Sequence, residues 1–169
     1  MKRKRKFGNY EAFKEYLHIM HTKALELMEN LSEEDQRYLN NFFGRFYKTT
    51  KEHYWSLKKL FSMAMYIPMF LLIGISWKGR NFFDGLVYID THSGAGLAKI
   101  GTDERDVVLG SPLLAVLWPD IIAAKLKAFR KIQRGFDRLF FIERDLNTYK
   151  VLKRLVEHTK SQNISILLG

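Results

Sequence analysis

The fold is decided by the stretch Leu86-Val87-Tyr88-Ile89-Asp90-Thr91-His92-Ser93-Gly94-Ala95-Gly96. Its first four residues form a short apolar run rich in β-formers, which predicts a buried strand. The run stops at Asp90 and is followed by a polar turn that carries Gly94 and Gly96. Two glycines so close together permit a tight turn and allow a ligand to approach the bare backbone.

Two further strands are predicted downstream, over residues 139–142 and 164–168, the first of which ends at Glu143. The segments between the strands have helical character, at residues 112–131 and 146–160. Alternation of strand and helix is typical of right-handed crossovers and of a parallel sheet that is covered on both faces. Residues 81–169 are therefore predicted to be α/β, with a parallel sheet of three strands.

The preceding part of the chain, residues 1–80, is predicted to be an N-terminal helical region with a basic tail. Apolar residues recur there at helical spacing, and Ser32 followed by acidic residues is a helix start signal. The predicted helices cover residues 10–30, 33–48 and about 50–75. The third contains Pro68, where we expect a kink or a break. Its uncharged run from Phe61 to Trp77 predicts a buried helix and no membrane span.

Composition excludes several classes of protein. The chain has no cysteine, which rules out a disulfide scaffold, a thiolate zinc site, an iron–sulfur cluster and a cysteine nucleophile. This usage fits a reducing compartment, so we predict a cytoplasmic protein. Among the five histidines, only His18 and His21 lie close in sequence, and a lone pair predicts no metal site.

Charge is strongly positive, with 28 Lys and Arg against 18 Asp and Glu and a net charge of +10. The excess is concentrated in the Lys2–Lys6 tail, and a second basic stretch runs from Lys125 to Arg138. Such segments attract nucleic acid by releasing condensed counterions. The alternatives that remain open are a solubilising or targeting arm for the first and a solvated helix face for the second.

Candidate chemistry lies where the predicted strands end. Asp90 and Glu143 follow neighbouring strands, and ligands of open parallel sheets sit beyond these carboxyl ends. An ionised carboxylate offers two acceptor oxygens, which suits the two hydroxyls of a ribose. Two acids suit a positively charged nucleoside better than a pyrophosphate, and the chain lacks both the third glycine of a dinucleotide motif and a P-loop lysine. The alternative is that both acids cap neighbouring backbone.

The same residues resemble a known family, the class I S-adenosylmethionine-dependent methyltransferases, and within it the three-Cys-motif partner proteins. Four motifs carry the resemblance over residues 51–169. His92 and Ser93 depart from it, because the family has Phe and Ala there. The motifs are Tyr88-Ile89-Asp90, Ser93-Gly94-Ala95-Gly96, Gly110-Ser111-Pro112-Leu113-Leu114 and Phe141-Ile142-Glu143-Arg144-Asp145.

The resemblance implies that residues 81–169 form the first half of a Rossmann-like parallel sheet. It also implies S-adenosylmethionine as the cofactor. By this resemblance, Glu143 would bind the ribose hydroxyls, and Asp90 would either contact the cofactor's amino group or order the loop. Arg144 and Asp145 would lie near the adenine edge. The implied cofactor-binding residues are Asp90, Thr91, His92, Gly94, Ala95, Gly96, Glu143 and Arg144.

The resemblance also implies an acceptor-site motif after a fourth strand, and the sequence ends at Gly169, after the third predicted strand. No catalytic residue is therefore assigned. We expect a truncated reading frame, or a sheet edge at residues 86–89 that a protein partner or a second copy completes. The alternative function is a non-catalytic module that keeps the fold and binds nucleic acid or a protein partner.

Overall fold

Three helices form the N-terminal part of the computed structural model, which describes residues 8–46, 53–76, 84–101, 103, 105–125, 135–159 and 163–169. Their positions agree with the sequence prediction to within a few residues. Pro68 lies inside the third helix, which is continuous through it, so the expected break is absent. The helices are α1 (Gly8–Glu29), α2 (Glu33–Phe46) and α3 (His53–Ile75).

The C-terminal part is mixed α/β and contains the three predicted strands as one parallel sheet in the order β1-β4-β5. This agrees with the predicted α/β class. A two-stranded antiparallel hairpin, β2–β3, was not predicted. The elements are β1 (Val87–Asp90), β2 (Leu97–Lys99), β3 (Val107–Leu109), α4 (Ser111–Lys125), β4 (Arg138–Glu143), α5 (Leu146–Glu157) and β5 (Ile164–Leu168).

One face of the sheet is buried beneath helices. Helix α4 packs on β1 and β4, and α5 packs on β4 and β5. Tyr88 lies opposite Leu139, and Asp90 lies opposite Phe141, so these four side chains point to the same side. Leu139 and Phe141 are buried on that side.

The other face is not covered by any of the described residues, so the predicted cover on both sides is found on one side only in this part of the chain. Ile89 is 60% exposed there, and Val87 and Leu167 are also exposed. The cause is topological. Both crossovers step in the same direction across the sheet, from β1 to β4 to β5, and right-handed crossovers that step in one direction place their helices on one face.

The hairpin β2–β3 joins the turn after β1 (residues 91–96, which we call the glycine turn) to α4, and it packs against α1. Val107, Val108 and Leu109 are fully buried, and the His21 ring donates from Nδ1 to the Val107 carbonyl at 2.7 Å. The N-terminal helices and the sheet contribute to one hydrophobic core, which extends from Tyr16 to Val156. The hairpin therefore anchors the glycine turn to the helical part of the chain.

Helix α3 is apolar on two sides but buried on only one. Leu60, Ala64 and Leu71 are buried, and Trp118 of α4 donates its indole N–H to the Ala64 carbonyl at 2.6 Å. The window Leu57–Gly74 is long and apolar enough to cross a membrane by length and composition, and 28% of it is buried. The predicted buried helix is thus a helix with one buried face.

Helix α2 is held to α5 by polar contacts at its first turn. Ser32 caps α2 through its side chain, whose Oγ accepts from the Asp35 N–H at 3.2 Å, as the start signal predicted. Asp35 then forms an ion pair with Arg154 of α5, whose guanidinium also lies 4.9 Å from the Tyr38 ring centroid. These contacts hold α2 against the C-terminal half of α5.

Candidate functional site

The two acids singled out in the sequence lie at the same edge of the sheet. Asp90 ends β1 opposite Phe141, and Glu143 ends the neighbouring strand β4 two residues later. The turn after β1 folds onto β4, where the Ser93 N–H donates to the Ile142 carbonyl at 3.3 Å. The structure therefore brings together the two carboxylates and the glycine turn (residues 91–96), which lies between them.

Asp90 sits below this turn and is only 9% exposed. Its Oδ1 accepts from the His92 N–H at 3.1 Å, and its carbonyl accepts from the Ser93 hydroxyl at 2.8 Å. Its Oδ2 is buried and has no hydrogen-bond partner among the described residues. A buried acceptor left without a donor costs about 1–3 kcal/mol, so this oxygen marks a position where a donor from a ligand would be favourable.

Glu143 ties the turn to the end of β4. Its Oε2 accepts from the Gly94 N–H at 2.8 Å, and its Oε1 accepts from the Asp145 N–H at 2.9 Å. The sequence left open whether this acid caps backbone or holds a ligand, and the capping contacts are present. Because each carboxylate oxygen has two lone pairs, each keeps one that could accept a further hydrogen bond.

Both glycines of the turn have left-handed backbone angles, with φ of 65° at Gly94 and 86° at Gly96. Residues that carry a side chain rarely adopt such backbone angles, which explains why glycine occupies both positions. Their surroundings differ. A Cβ at Gly94 would meet no atom within 4 Å, whereas one at Gly96 would lie 3.0 Å from the Leu152 side chain. Gly94 thus faces open space and Gly96 faces the core.

The same turn is fixed from its other side by the start of α4. Gly110 donates its N–H to the Gly96 carbonyl at 2.7 Å, and its own carbonyl accepts from Leu114 in the first turn of the helix. The hydrogen bond between Gly110 and Gly96 therefore joins the residue just before the hairpin β2–β3 to the residue just after it. The glycine turn is held by β4 on one side and by α4 on the other.

The environment at the end of β1 also changes the pKa of a neighbouring side chain, Tyr88. Tyr88 precedes Asp90 by two residues and points to the same face of β1. Burial, followed by the charge of Asp90 and by the closeness of its carboxylate to the phenol, raises the pKa of Tyr88 well above its usual value of 10. The phenol is therefore neutral across the physiological range, and it adds no charge to the carboxylates of the site.

The other predicted cofactor residues occupy different environments. Thr91 and His92 are exposed, and the Thr91 hydroxyl lies 3.0 Å from His92 Nδ1. Ala95 is buried, so only its backbone can face a ligand. Arg144 is exposed just beyond Glu143.

Asp145, which the resemblance placed near an adenine edge, has a structural role at the start of α5. It is the N-cap of α5, and its Oδ1 accepts from the backbone N–H and the hydroxyl of Thr148, both at 2.8 Å. These bonds, led by the one from the Thr148 N–H, lower the pKa of Asp145. Both lone pairs of Oδ1 are occupied, so Asp145 stabilises the helix start beside the site.

Most of the basic residues proposed to contact nucleic acid lie outside the described residues, which exclude 1–7 and 126–134. Of the second stretch, Lys125 and Arg138 are described, and both are exposed. Across the described ranges, no group of three His, Cys, Asp or Glu side chains could hold a metal ion.

Sequence reasoning missed the hairpin that holds Gly96 and Gly110 together. The signal was present as a short apolar run, Val107-Val108-Leu109, preceded by the turn-forming residues Gly101 and Asp103. A run of three residues is too short to distinguish from a loop by periodicity alone.

Comparison of the chain with family models, with curated protein sequences and with solved structures finds no match. The family resemblance therefore depends on the four quoted motifs.

Proposed function

We propose that the chain is a S-adenosylmethionine-dependent methyltransferase-like protein of the three-Cys-motif partner type, which binds its cofactor at the ends of β1 and β4. The observation that carries the proposal is the unpartnered Oδ2 of Asp90. It is buried beneath a glycine turn whose outer side, at Gly94, meets open space.

The residues present fit the chemistry of this cofactor. The Asp90 oxygen lacks a donor, and an amino group or hydroxyl of the ligand would supply one. Glu143 keeps one lone pair on each oxygen, which suits a pair of ribose hydroxyls. Two carboxylates close together favour a positively charged ligand.

When bound, the cofactor supplies an electrophilic methyl group on a positively charged sulfur. The contribution of this chain is to bind and orient it. Glu143 holds the position of Gly94 through a bond of 2.8 Å, so the turn does not need to reorganise when a ligand arrives. Preorganisation of this kind lowers the entropic cost of binding.

Calorimetric titration with S-adenosylhomocysteine tests the proposal. We expect a measurable heat for the wild type, and none for Gly94→Val, whose side chain would fill the open space above the turn. Glu143→Ala should weaken binding, while Glu157→Ala, which removes an exposed acid at the end of α5, should not. Equal heats in all four proteins would remove the assignment.

The methyl acceptor is proposed to be nucleic acid, and the net charge of +10 supports this class. The alternative is a module that keeps the fold and binds nucleic acid without chemistry. In both cases affinity for a short RNA or DNA should fall steeply as salt rises. Nucleic-acid affinity that does not change with salt concentration would count against both functions. The titration with S-adenosylhomocysteine distinguishes the methyltransferase-like protein from the non-catalytic module.

A further inference from the structure

Helix α3 exposes a row of large apolar side chains to solvent. Met65, Tyr66, Met69 and Ile73 are 43%, 67%, 52% and 61% exposed. Their spacing along the helix places them on one side that is roughly 100° wide, and we call them the apolar row of α3. A contiguous exposed apolar patch marks a contact surface, because monomeric soluble proteins rarely expose one without a binding role.

The opposite side of α3 is fixed in the hydrophobic core. Leu60, Ala64, Ile67 and Leu71 are at most 4% exposed. Trp118 of α4 donates its indole N–H to the Ala64 carbonyl at 2.6 Å. The helix is long and apolar enough to cross a membrane by length and composition, but crossing would remove these side chains and this hydrogen bond from the core. The packing therefore limits an external contact of α3 to the side that carries the apolar row.

Positive charge lies at one end of the same side. Lys58 and Lys59 are exposed, and they precede Met65 and Tyr66 by two helical turns. Residues 60–76 carry no charge, and α3 contains no Asp or Glu. A helix side with a cationic end and an apolar row complements a bilayer with anionic headgroups, which is negative at its surface and apolar beneath it.

The apolar row offers few groups that form hydrogen bonds. Between Lys59 and Gly74, the exposed side chains that can form one are Ser62 and Tyr66. A protein interface makes about one hydrogen bond per 100–200 Å², whereas acyl chains make none. The Tyr66 ring stacks on Phe70 at a centroid distance of 5.9 Å, and an exposed tyrosine is typical of the boundary between headgroups and acyl chains. These features favour lipid over a second polypeptide.

We propose that α3 lies in the surface of an anionic lipid bilayer, with its axis parallel to the membrane plane. The side chains of the apolar row enter the boundary between headgroups and acyl chains. The ammonium groups of Lys58 and Lys59 stay among the anionic headgroups. None of these residues belongs to the candidate cofactor site, so the proposal does not depend on the proposed function.

A second copy of this chain complements the apolar row poorly. Two copies that paired through α3 would bring Lys58 and Lys59 of each chain to one contact, and each chain carries a net charge of +10. Like charges brought together oppose association. We therefore expect a monomer in sedimentation without lipid. A dimer that Ile73→Ser dissociates would overturn the proposal, because the row would then belong to a second copy.

Flotation of the chain with vesicles tests the contact with lipid. One set of vesicles contains two parts phosphatidylcholine to one part phosphatidylserine, and the other contains phosphatidylcholine alone. We expect saturable binding to the anionic vesicles and at least tenfold weaker binding to the neutral ones. Absence of binding to the anionic vesicles up to ~1 mM lipid, where a single acyl chain already suffices, overturns the proposal.

The apolar part of the contact is tested at Ile73. Ile73→Ser should weaken binding to the anionic vesicles about tenfold, because it removes a side chain that enters the bilayer. Leu146→Ser is the matched control, since Leu146 is 48% exposed on α5, and it should change binding less than twofold. The Lys2–Lys6 tail can attract anionic vesicles by charge alone. An unchanged affinity of Ile73→Ser would assign the binding to charge and overturn the proposal.

The cationic end is tested at Lys59. Lys59→Ala should weaken binding to the anionic vesicles about fivefold. Lys153→Ala removes the same charge from an exposed position on α5 and should change binding less than twofold. Equal losses in the two variants would show that net charge, and not the side of α3, determines binding, which overturns the proposal. Circular dichroism establishes that each variant is folded, and Met69→Ser repeats the apolar test should Ile73→Ser unfold.

Discussion

Gly94 donates its backbone N–H to Glu143 Oε2 at 2.8 Å, which joins the turn after β1 to the end of β4. The bond is made by a charged acceptor in a half-buried position. Such bonds contribute about 1.5–3 kcal/mol each. A contact between residues far apart in the sequence thus fixes the backbone that is proposed to receive a ligand.

We expect Glu143→Ala to lower the free energy of unfolding by about 2 kcal/mol, because it leaves the N–H groups of Gly94 and Asp145 without their acceptor. Glu143→Gln keeps an acceptor oxygen for one of them and should lose less. Urea denaturation measures both. A Glu143→Ala protein as stable as the wild type would show that water replaces the carboxylate without cost.

The two glycines of the turn should respond differently to alanine. Gly94→Ala places a methyl group in open space at a left-handed angle, which costs about 1 kcal/mol. Gly96→Ala adds a clash with Leu152 at 3.0 Å, so we expect a loss of about 2 kcal/mol or more.

Ligand binding should show the opposite order. At a temperature where both variants are folded, Gly94→Ala should weaken the binding of S-adenosylhomocysteine more than Gly96→Ala, because only the first methyl group points to the open side. Thermal denaturation and calorimetry on the same samples separate the effects. Equal losses of affinity would contradict the proposed position of the ligand.

The helix cap at Asp145 predicts a dependence on pH. Asp145→Ala should destabilise the protein by about 1 kcal/mol at pH 7, while Asp145→Ser, another capping residue, should lose less. The bonds from Thr148 lower the pKa of Asp145 in the folded state, so the unfolded chain binds the proton more readily. The cap therefore stabilises the protein above about pH 4 and is lost as pH falls through the folded pKa.

The measurement is urea denaturation of the wild type and Asp145→Ala between neutral and acid pH. Their difference in stability should narrow as pH falls. A difference that stays constant down to the lowest pH at which both proteins fold would contradict the role of the charged cap.

How far the sequence predicted this fold depended on the length of each pattern. The strand that ends at Asp90 and the strand that ends at Glu143 were predicted nearly to their bounds, because apolar runs with sharp ends are local signals. The starts of α4 and α5 were also predicted to within one residue. The β2–β3 hairpin was missed, since three residues carry no clear period. The open sheet face was missed because it follows from the order of the strands, which periodicity does not encode.

The site was predicted in part for the same reason. That Asp90 and Glu143 share one edge follows from parallel pairing of neighbouring strands. The unpartnered Oδ2 of Asp90 could not be predicted, because it depends on which backbone N–H groups the turn directs at the carboxylate. The role of Asp145 as the N-cap of α5 was not predicted, and the expectation that it lies near a ligand stays a prediction.

Alkaline pH should destabilise the protein through Tyr88. Burial and the charge of Asp90 raise its pKa in the folded state, so the unfolded chain releases the phenol proton first. The contribution of Tyr88 to stability is therefore constant below about pH 10 and falls above it. Replacing Tyr88 by Phe should reduce this fall in urea denaturation between pH 9 and 11, and an unchanged slope would assign it to other groups.

The unequal faces of the sheet give the largest predicted contrast in stability. Phe141 is fully buried beneath the helices, and Ile89 is 60% exposed on the neighbouring strand. Phe141→Ala should cost about 3–5 kcal/mol, the range for a large side chain removed from a core. Ile89→Ala should change stability by less than about 1 kcal/mol, because the side chain is mostly solvated. Urea denaturation of the two variants measures the difference. A loss at Ile89 comparable to that at Phe141 would mean that in solution the open face is covered, and the same loss would then depend on protein concentration if a second copy covers it.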